Sequence, residues 1–581
     1  MAEGTSWGVL EHPEQVLTTL VALGLVLIYV VRASRHNASQ KTSSHATANR
    51  RRLPCPPSTL PLLGNTLDMV VYQRDRVYDW FLEQCELHKG PWRLQNLGRP
   101  PVIVVASPEL FEDITKTQFD LFPKGESECE IFRDFFGQGI FSLNGDAWHR
   151  QRATTSQLFA HPSMKKAMHD VVHAKIGTLC RVLDLYASRQ GEPISLKSVL
   201  GHFAADVFTK MGMGVERSTL ENGLEGFDND DFIQSSRTIS RTLQMRFHQP
   251  MWLWKLKRFL NIGDEKRFKE CVKFSDFLMF NIINESIVKK NRAKMAAKRH
   301  RASSNCSTSS SSTTSSSTSE RSHGHDELER EPKPIISAEA KDLISIFLET
   351  NALTESVDVD AQLIRDTVIN FISPGTDTTA HAMSFFILMM NRYQQILKKI
   401  REEICTKLPW LMATTSTSRM LTADDLAQLT YLEATIRESL RLNPQYPLTG
   451  REACEDTVLS DGTFVPKGTR VVMAFYAAMR RKSVWGEDAL RFKPERWLDP
   501  VTGQLIAVSP YKFSSFYAGP RMCPGMKFAL MEIKMTMAVV LSRFDVRTVD
   551  NPWDLTYQVG LAASVKGPMM VTVTPISSAA K

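Results

Sequence analysis

Among the side chains of this sequence, Cys523 has the surroundings best suited to chemistry. Phe516, Gly519 and Arg521 precede it at short intervals, Gly525 follows, and an apolar helical pattern starts at Met526. Glycines permit the φ values of a tight loop and let backbone approach a flat cofactor closely. A cysteine immediately ahead of a helix feels the N-terminal dipole and the exposed N–H groups, both of which favour the thiolate. A thiolate is a soft, electron-rich metal ligand. Arg521 adds a permanent positive charge for an anionic group on such a cofactor. The plain alternative is a buried cysteine in a glycine turn.

A second constellation lies upstream. A helical pattern from Ala361 to about Gln394 is interrupted by Ser373, Pro374, Gly375, Thr376, Asp377, Thr378 and Thr379. Proline removes the N–H that would bond the carbonyl of Asn370, and glycine weakens the same turn. The pattern predicts a kinked bulge in which freed carbonyls and the Thr378 hydroxyl hold water and dioxygen. Asp377 beside Thr378 forms a plausible proton relay. Standing alone, the string also reads as an ordinary kinked helix.

Three further groups are spaced for ion pairing. Glu438 and Arg441 lie three apart in a helical stretch over 432–442, which puts them on one face. An isolated pair of this kind is usually on the surface and worth under about 1 kcal/mol. Arg496 sits downstream in a Pro-Glu-Arg-Trp run. Trp148 and Arg152, four apart, are N–H donors suited to a carboxylate. Arg451 follows a bend formed by Tyr446, Pro447, Leu448 and Thr449.

In chain order these segments resemble the cytochrome P-450 family over about residues 53–575. Residues 516–525 match every fixed position of the family's haem loop, F-x-x-G-x-R-x-C-x-G. Residues 374–379 resemble its A-G-x-D-T-T motif with Pro374 at the alanine position, and the E-x-x-R, P-E-R-W and W-x-x-x-R motifs are all present. The resemblance implies a mainly α fold with small β-sheets, the cytochrome P-450 fold. It makes Cys523 the ligand of haem iron, where a thiolate favours O–O cleavage. Arg521, Trp148, Arg152 and Arg451 become partners of the haem propionates, and Phe516, Gly519 and Gly525 shape the loop. Asp377 and Thr378 become the relay, while Glu438, Arg441 and Arg496 form a buried structural network. Leu448, Thr449, Ala562 and Ala563 are expected in the substrate pocket. Some relatives carry a glutamate at position 374 that esterifies haem; proline cannot, so haem b is expected to be held non-covalently.

The implied activity is an NADPH-dependent monooxygenase acting on a C–H bond of an apolar molecule. Residues around the motifs, including Trp485 to Asp488 and the run from Trp252 to Phe259, resemble the fatty-acid and alkane terminal-hydroxylase branch of plants and fungi. This implies fatty-acid ω-hydroxylation. Another lipid, an alkane, a sterol or a xenobiotic stays open as substrate. So does a non-oxidative hydroperoxide isomerase or dehydratase, which the Asp377–Thr378 pair disfavours. The run around Trp252 and Trp254 reads either as a helix dipping into the bilayer interface or as an amphipathic helix packed on the core. Arg246 is the one guess at a substrate-carboxylate anchor.

The wider sequence must position these groups. Its 581 residues, 43% of them hydrophobic, suffice for a large core. A net charge of +8 is small for this size and leaves no nucleic-acid footprint. Nine dispersed cysteines without a C-x-x-C pair argue against a zinc site or disulfide scaffold and for a reducing compartment. Residues 16–31 are apolar and uncharged, with Glu3, Glu11 and Glu14 before them and Arg32, Arg35, Lys41 and Arg50 to Arg52 after them. This pattern predicts a short lumenal N-terminus over 1–15 and a single transmembrane anchor over 16–34. A basic, proline-rich linker over 35–64 follows, and a catalytic domain over 65–581 faces the cytosol from the endoplasmic reticulum membrane. A serine- and threonine-rich stretch predicts a disordered insertion over about 297–337. No G-x-G-x-x-G fingerprint is present, so electrons are expected from a separate flavin-containing NADPH reductase. Lys527 and Lys534 are candidate contacts for it, or solvated helix residues. Membrane lipid and a hydrophobic small molecule complete the expected partners.

Overall fold

The computed structural model describes residues 52–189, 191–222, 231–306, 342–352, 360–413 and 419–576. The expected lumenal N-terminus, anchor and first part of the linker lie outside the described residues, as does the expected insertion from 307 onward. Among the described residues the chain is mainly helical with small sheets. None of their helices is long and apolar enough to cross a membrane.

One compact unit joins residues up to Pro123 with Leu448–Ala478. Its four-stranded sheet has the order β1 (Trp92–Leu94), β2 (Val102–Val105), β4 (Arg470–Met473), β3 (Thr449–Glu452). The central pair β2 and β4 is parallel, with Val104 opposite Val472. Both central strands are rich in Val and Ile, side chains that fit a pleated, buried surface. Helix α1 (Val77–His88) sets Trp80 and Phe81 against Trp92, with ring centroids 5.9 and 5.4 Å apart. Arg451 belongs to β3, is 4% exposed, and donates to the Gly450 carbonyl at 2.7 Å.

The second unit, Lys124–Pro447 with Met479–Lys581, contains the main helices. In chain order these are α2 (Glu126–Phe136), α3 (Gly145–Ala160), α4 (Pro162–Ser188), α5 (Leu196–Met213) and α6 (Asp231–His248). They continue with α7 (Met251–Leu260), α8 (Gly263–Cys306), α9 (Ala361–Arg392), α10 (Thr430–Leu442) and α11 (Met526–Arg543). A three-stranded antiparallel sheet pairs Met570–Pro575 with Phe544–Thr548 and Ile194–Ser195. Helix α8 runs to Cys306, so residues 297–306 are helical and the expected insertion starts too early by that stretch.

Helix α9 lies at the centre of this unit. Asp360 caps it, its carboxylate accepting from the Gln362 N–H at 2.9 Å. The helix then passes Pro374 without a break, correcting the expected interruption over 373–379. Threonine hydroxyls bond back along this stretch, Thr376 to the Ile372 carbonyl at 2.9 Å and Thr378 to the Pro374 carbonyl at 2.7 Å. Such back-bonds occupy carbonyls beside the proline. Gly375 has a packing role: a Cβ there would overlap the ring of Phe208 on α5. The glycine admits an aromatic neighbour that any larger residue would displace.

Helix α7 is packed on the core along one side and open along the other. Trp254 is 2% exposed and packs it on the core, while Trp252 is 47% and Phe259 85% exposed. Arg246 does not serve as a free carboxylate anchor. It is 1% exposed, pairs with Glu265 at 2.6 Å and Asp134 at 2.9 Å, and lies over Trp254 and Phe268. Lys534 is likewise buried, paired with Glu433 at 2.8 Å, and so unsuited to a surface contact; Lys527 is exposed.

Candidate active site

The cysteine loop is closed by its own backbone. The Cys523 N–H donates to the Phe516 carbonyl at 2.8 Å, and the Met522 N–H to that of Gly519 at 3.0 Å. Gly519 takes φ +68°, a left-handed conformation that favours glycine. Gly525 does not need that freedom: at φ −86° it is the N-cap of α11. A Cβ there would make only ordinary contacts, 3.7 Å from the Phe159 ring and 3.9 Å from the Cys523 sulfur, so the protein packing alone leaves room for one. Burial pushes the Cys523 thiol up; backbone N–H groups of Gly525 and Met526 and the charge of Arg152 oppose it. These are the helix-end donors and the cation that a thiolate requires.

Arg521 ties this loop to the start of α3. It donates to Asn144 Oδ1 at 2.9 Å and to the Leu143 carbonyl at 3.2 Å, and its guanidinium stacks 4.3 Å over the Trp148 ring. Arg152 follows one turn after Trp148; burial lowers its pKa, and the nearby Cys523 raises it. Cys523, Arg521, Trp148 and Arg152, chosen from two distant segments of sequence, therefore converge.

Cys523 lines a cavity of about 810 Å³ with no protein atoms in it. Pro524, Gly525, Phe528 and Ala529 extend the wall that carries it, and Pro374, Gly375, Thr378 and Thr379 supply another from α9. Phe159, Phe371, Phe208 and Phe528 form an aromatic lining, in that order with ring centroids 5.4 Å apart in successive pairs. Ile140 and Phe141 from the loop after α2 complete it, with Asn370, Thr367 and α3 side chains.

The two relay candidates separate. Thr378 lines the cavity, whereas Asp377 accepts from Ser240 of α6 at 3.3 Å and is not among the lining residues. Burial raises the Asp377 carboxyl, against the Ser240 hydrogen bond and the charges of Arg237 and Lys197. One neighbour went unnoticed in the sequence, and a second was read there only as part of a bend. His381 stands one turn beyond Asp377, where burial and Lys197 lower its imidazole to about 3. The Tyr446 phenol is raised by burial, then by Asp377 and Cys523. The i+4 spacing from Asp377 was the available signal for His381; nothing local marks Tyr446. Of the expected pocket residues, Leu448 and Thr449 belong to the other compact unit with Arg451. Ala562 and Ala563 do not line this cavity.

The predicted ion network is present and buried. Arg441 donates to Glu438 through two bonds and to the Met479 and Ala489 carbonyls at 2.5 and 2.7 Å. Arg496 approaches Glu438 at 3.4 Å, and the Trp497 indole N–H reaches it at 3.0 Å. A Lys493 N–H adds another bond at 2.9 Å. No catalytic atom is involved; the network holds α10 to the segment over 479–497.

A flat, apolar, anionic-edged macrocycle fits these residues. A sulfur with helix-end donors lies on one wall of an aromatic cavity, beside the convergent Arg152, Arg521 and Trp148. Comparison with known proteins agrees. The chain belongs to the cytochrome P-450 family, whose model matches residues 54–571. It is 30% identical to cytochrome P-450 94C1 of Arabidopsis thaliana over 85% of this chain and 88% of that protein. It is 29% identical to cytochrome P-450 CYP94D108 of Paris polyphylla over 90% and 94%. Identity to cytochrome P-450 86B1 of Arabidopsis thaliana is 28%, over 88% and 84%. The protein is a haem-thiolate monooxygenase whose electrons come from NADPH through a reductase. Haem iron, when bound, supplies the oxygen chemistry, and Cys523 with Arg152, Arg521 and Trp148 would hold it.

Proposed function

We propose that the substrate is a fatty acid, hydroxylated at or near its terminal carbon. The supporting observation is the character of the cavity wall. Apart from Cys523 it carries aliphatic, aromatic, hydroxyl and amide groups, and no acidic, basic or imidazole side chain. Placing an ionised carboxylate there without a partner is costly. An amphiphilic chain therefore places its apolar end in the cavity, against the walls of Ile140, Phe141 and Thr378, and keeps its charged end outside.

In this reading Cys523 ligates the iron, and Arg521, Arg152 and Trp148 donate to haem carboxylates. Thr378 orders water at the cavity wall. Asp377 acts behind it, passing protons from the side of α6 instead of touching substrate. The apolar run over 16–31 anchors the enzyme to the endoplasmic reticulum membrane, with α7 resting its Trp252 and Phe259 side on lipid.

The test is product analysis with lauric and oleic acids, using the full chain, NADPH and a flavoprotein reductase. Terminal hydroxy acids are expected. Exclusive turnover of sterols or small aromatics would defeat the fatty-acid reading and leave the monooxygenase assignment in place.

A further inference from the structure

The loop over 137–143 follows α2 and places Ile140 and Phe141 on the cavity wall. It does not lie freely. Three side chains from two successive turns of α9 grip it and the end of α2. Arg365 donates to the Phe135 carbonyl at 2.6 Å. Asp366 accepts from the Gln138 N–H at 2.7 Å. Asn370 donates to the Phe136 carbonyl at 2.8 Å and accepts from the Phe141 N–H at 3.4 Å. Asp366 and Asn370 lie one turn apart on the same face.

All three grips are buried, with Arg365 3%, Asp366 2% and Asn370 9% exposed. Asp366 is itself fixed by Arg365 at 2.9 Å and by Gln362 at 2.8 Å, and Arg365 by Asp276 of α8. Two glycines make the approach close. A Cβ at Gly137 would overlap the Asp366 carboxylate, and one at Gly139 would overlap the Asn370 amide. Gly137 also takes φ +56°, whereas Gly139 does not have a left-handed φ, so its absence of a side chain serves contact alone.

We propose that Asp366 and Asn370 form a clamp that fixes Ile140 and Phe141 and so sets the width of the cavity near the reacting end of the substrate. The two are specificity-determining positioning residues. Loop position, and hence the bulk the cavity admits, is decided on α9, the same helix that carries Thr378. This rests on the cavity being the haem pocket of the monooxygenase, and does not depend on the fatty-acid reading.

The experiment uses full-length, haem-loaded protein and two iron-binding probes of different bulk, imidazole and 4-phenylimidazole, titrated optically. Gly139→Ala and Asn370→Ala should each raise the affinity of the bulky probe relative to imidazole by about fivefold, equivalent to about 1 kcal/mol of binding. Amide exchange at Gln138 and Phe141 should accelerate in both. Adding Gly139→Ala to Asn370→Ala should change little, because the side chain that the new methyl would meet is gone. Retention of the thiolate carbon monoxide spectrum reports an intact haem site; if Gly139→Ala does not load haem, amide exchange at Gln138 and Phe141 in Asn370→Ala decides, because Asn370 also lines the cavity. Unchanged probe discrimination and exchange in the variants that load haem would overturn the clamp. So would a fully additive double variant, and neither result bears on fatty-acid turnover.

Discussion

Glu438 receives Arg441 through two parallel hydrogen bonds of 2.7 and 2.8 Å, and both side chains are wholly buried. A bidentate pair in this setting holds more by geometry than by net attraction, because taking two charges from water is costly. Removing one partner leaves the other charge uncompensated. Glu438→Ala or Arg441→Ala should therefore cost about 3–5 kcal/mol. Thermal unfolding and haem content would record it, and a variant of wild-type stability would contradict the network.

Cys523→Ser should remove the thiolate signature in the reduced carbon monoxide complex and abolish hydroxylation. The hydroxyl that replaces the thiol keeps the loop's shape but is not a comparable electron donor. A persisting thiolate spectrum would mean that another cysteine ligates the iron.

Thr378→Ala should lower product formed per NADPH consumed by about tenfold or more, the lower range of a proton-delivery contribution. Haem content should stay unchanged. The removed hydroxyl also leaves the Pro374 carbonyl without its 2.7 Å partner. Thr378→Ser, which keeps that donor, should restore coupling.

Glu532 on α11 is fully buried, and neither carboxyl oxygen has a hydrogen-bond partner among the described residues. Burial raises its pKa well above the ordinary value. The folded protein then binds this proton more tightly than the unfolded chain. Its effect favours folding most below the unfolded pKa of about 4.3 and weakens stability as pH climbs towards the raised folded value, by about 1.4 kcal/mol per pH unit. Glu532→Gln should flatten that slope and raise stability at neutral pH. Unfolding midpoints measured across pH check this, and parallel curves for the two proteins would refute it.

The parts of the site legible in sequence were those fixed by short spacing. Phe516, Gly519, Arg521, Cys523 and Gly525 lie within one loop, so its backbone closure was implicit in the residue order. Glu438 and Arg441 share a helix turn. What stayed hidden depends on contacts distant in sequence. Arg246 looked available until Asp134 and Glu265 came to meet it. Lys534 looked solvated until Glu433 covered it. Pro374 suggested a break because its local rule is strong, yet packing and threonine back-bonds carry α9 through. The role of Gly139 could not be read at all, because Asn370 lies more than two hundred residues away.

Gly375 and Phe208 occupy space that only one of them can fill. Positions 375 and 208 are thereby linked in inheritance: a methyl gained at the first is tolerated only after the ring at the second shrinks. Drift at either site must pass through the smaller aromatic-free partner first, so the order of the two changes is constrained and the reverse route is closed.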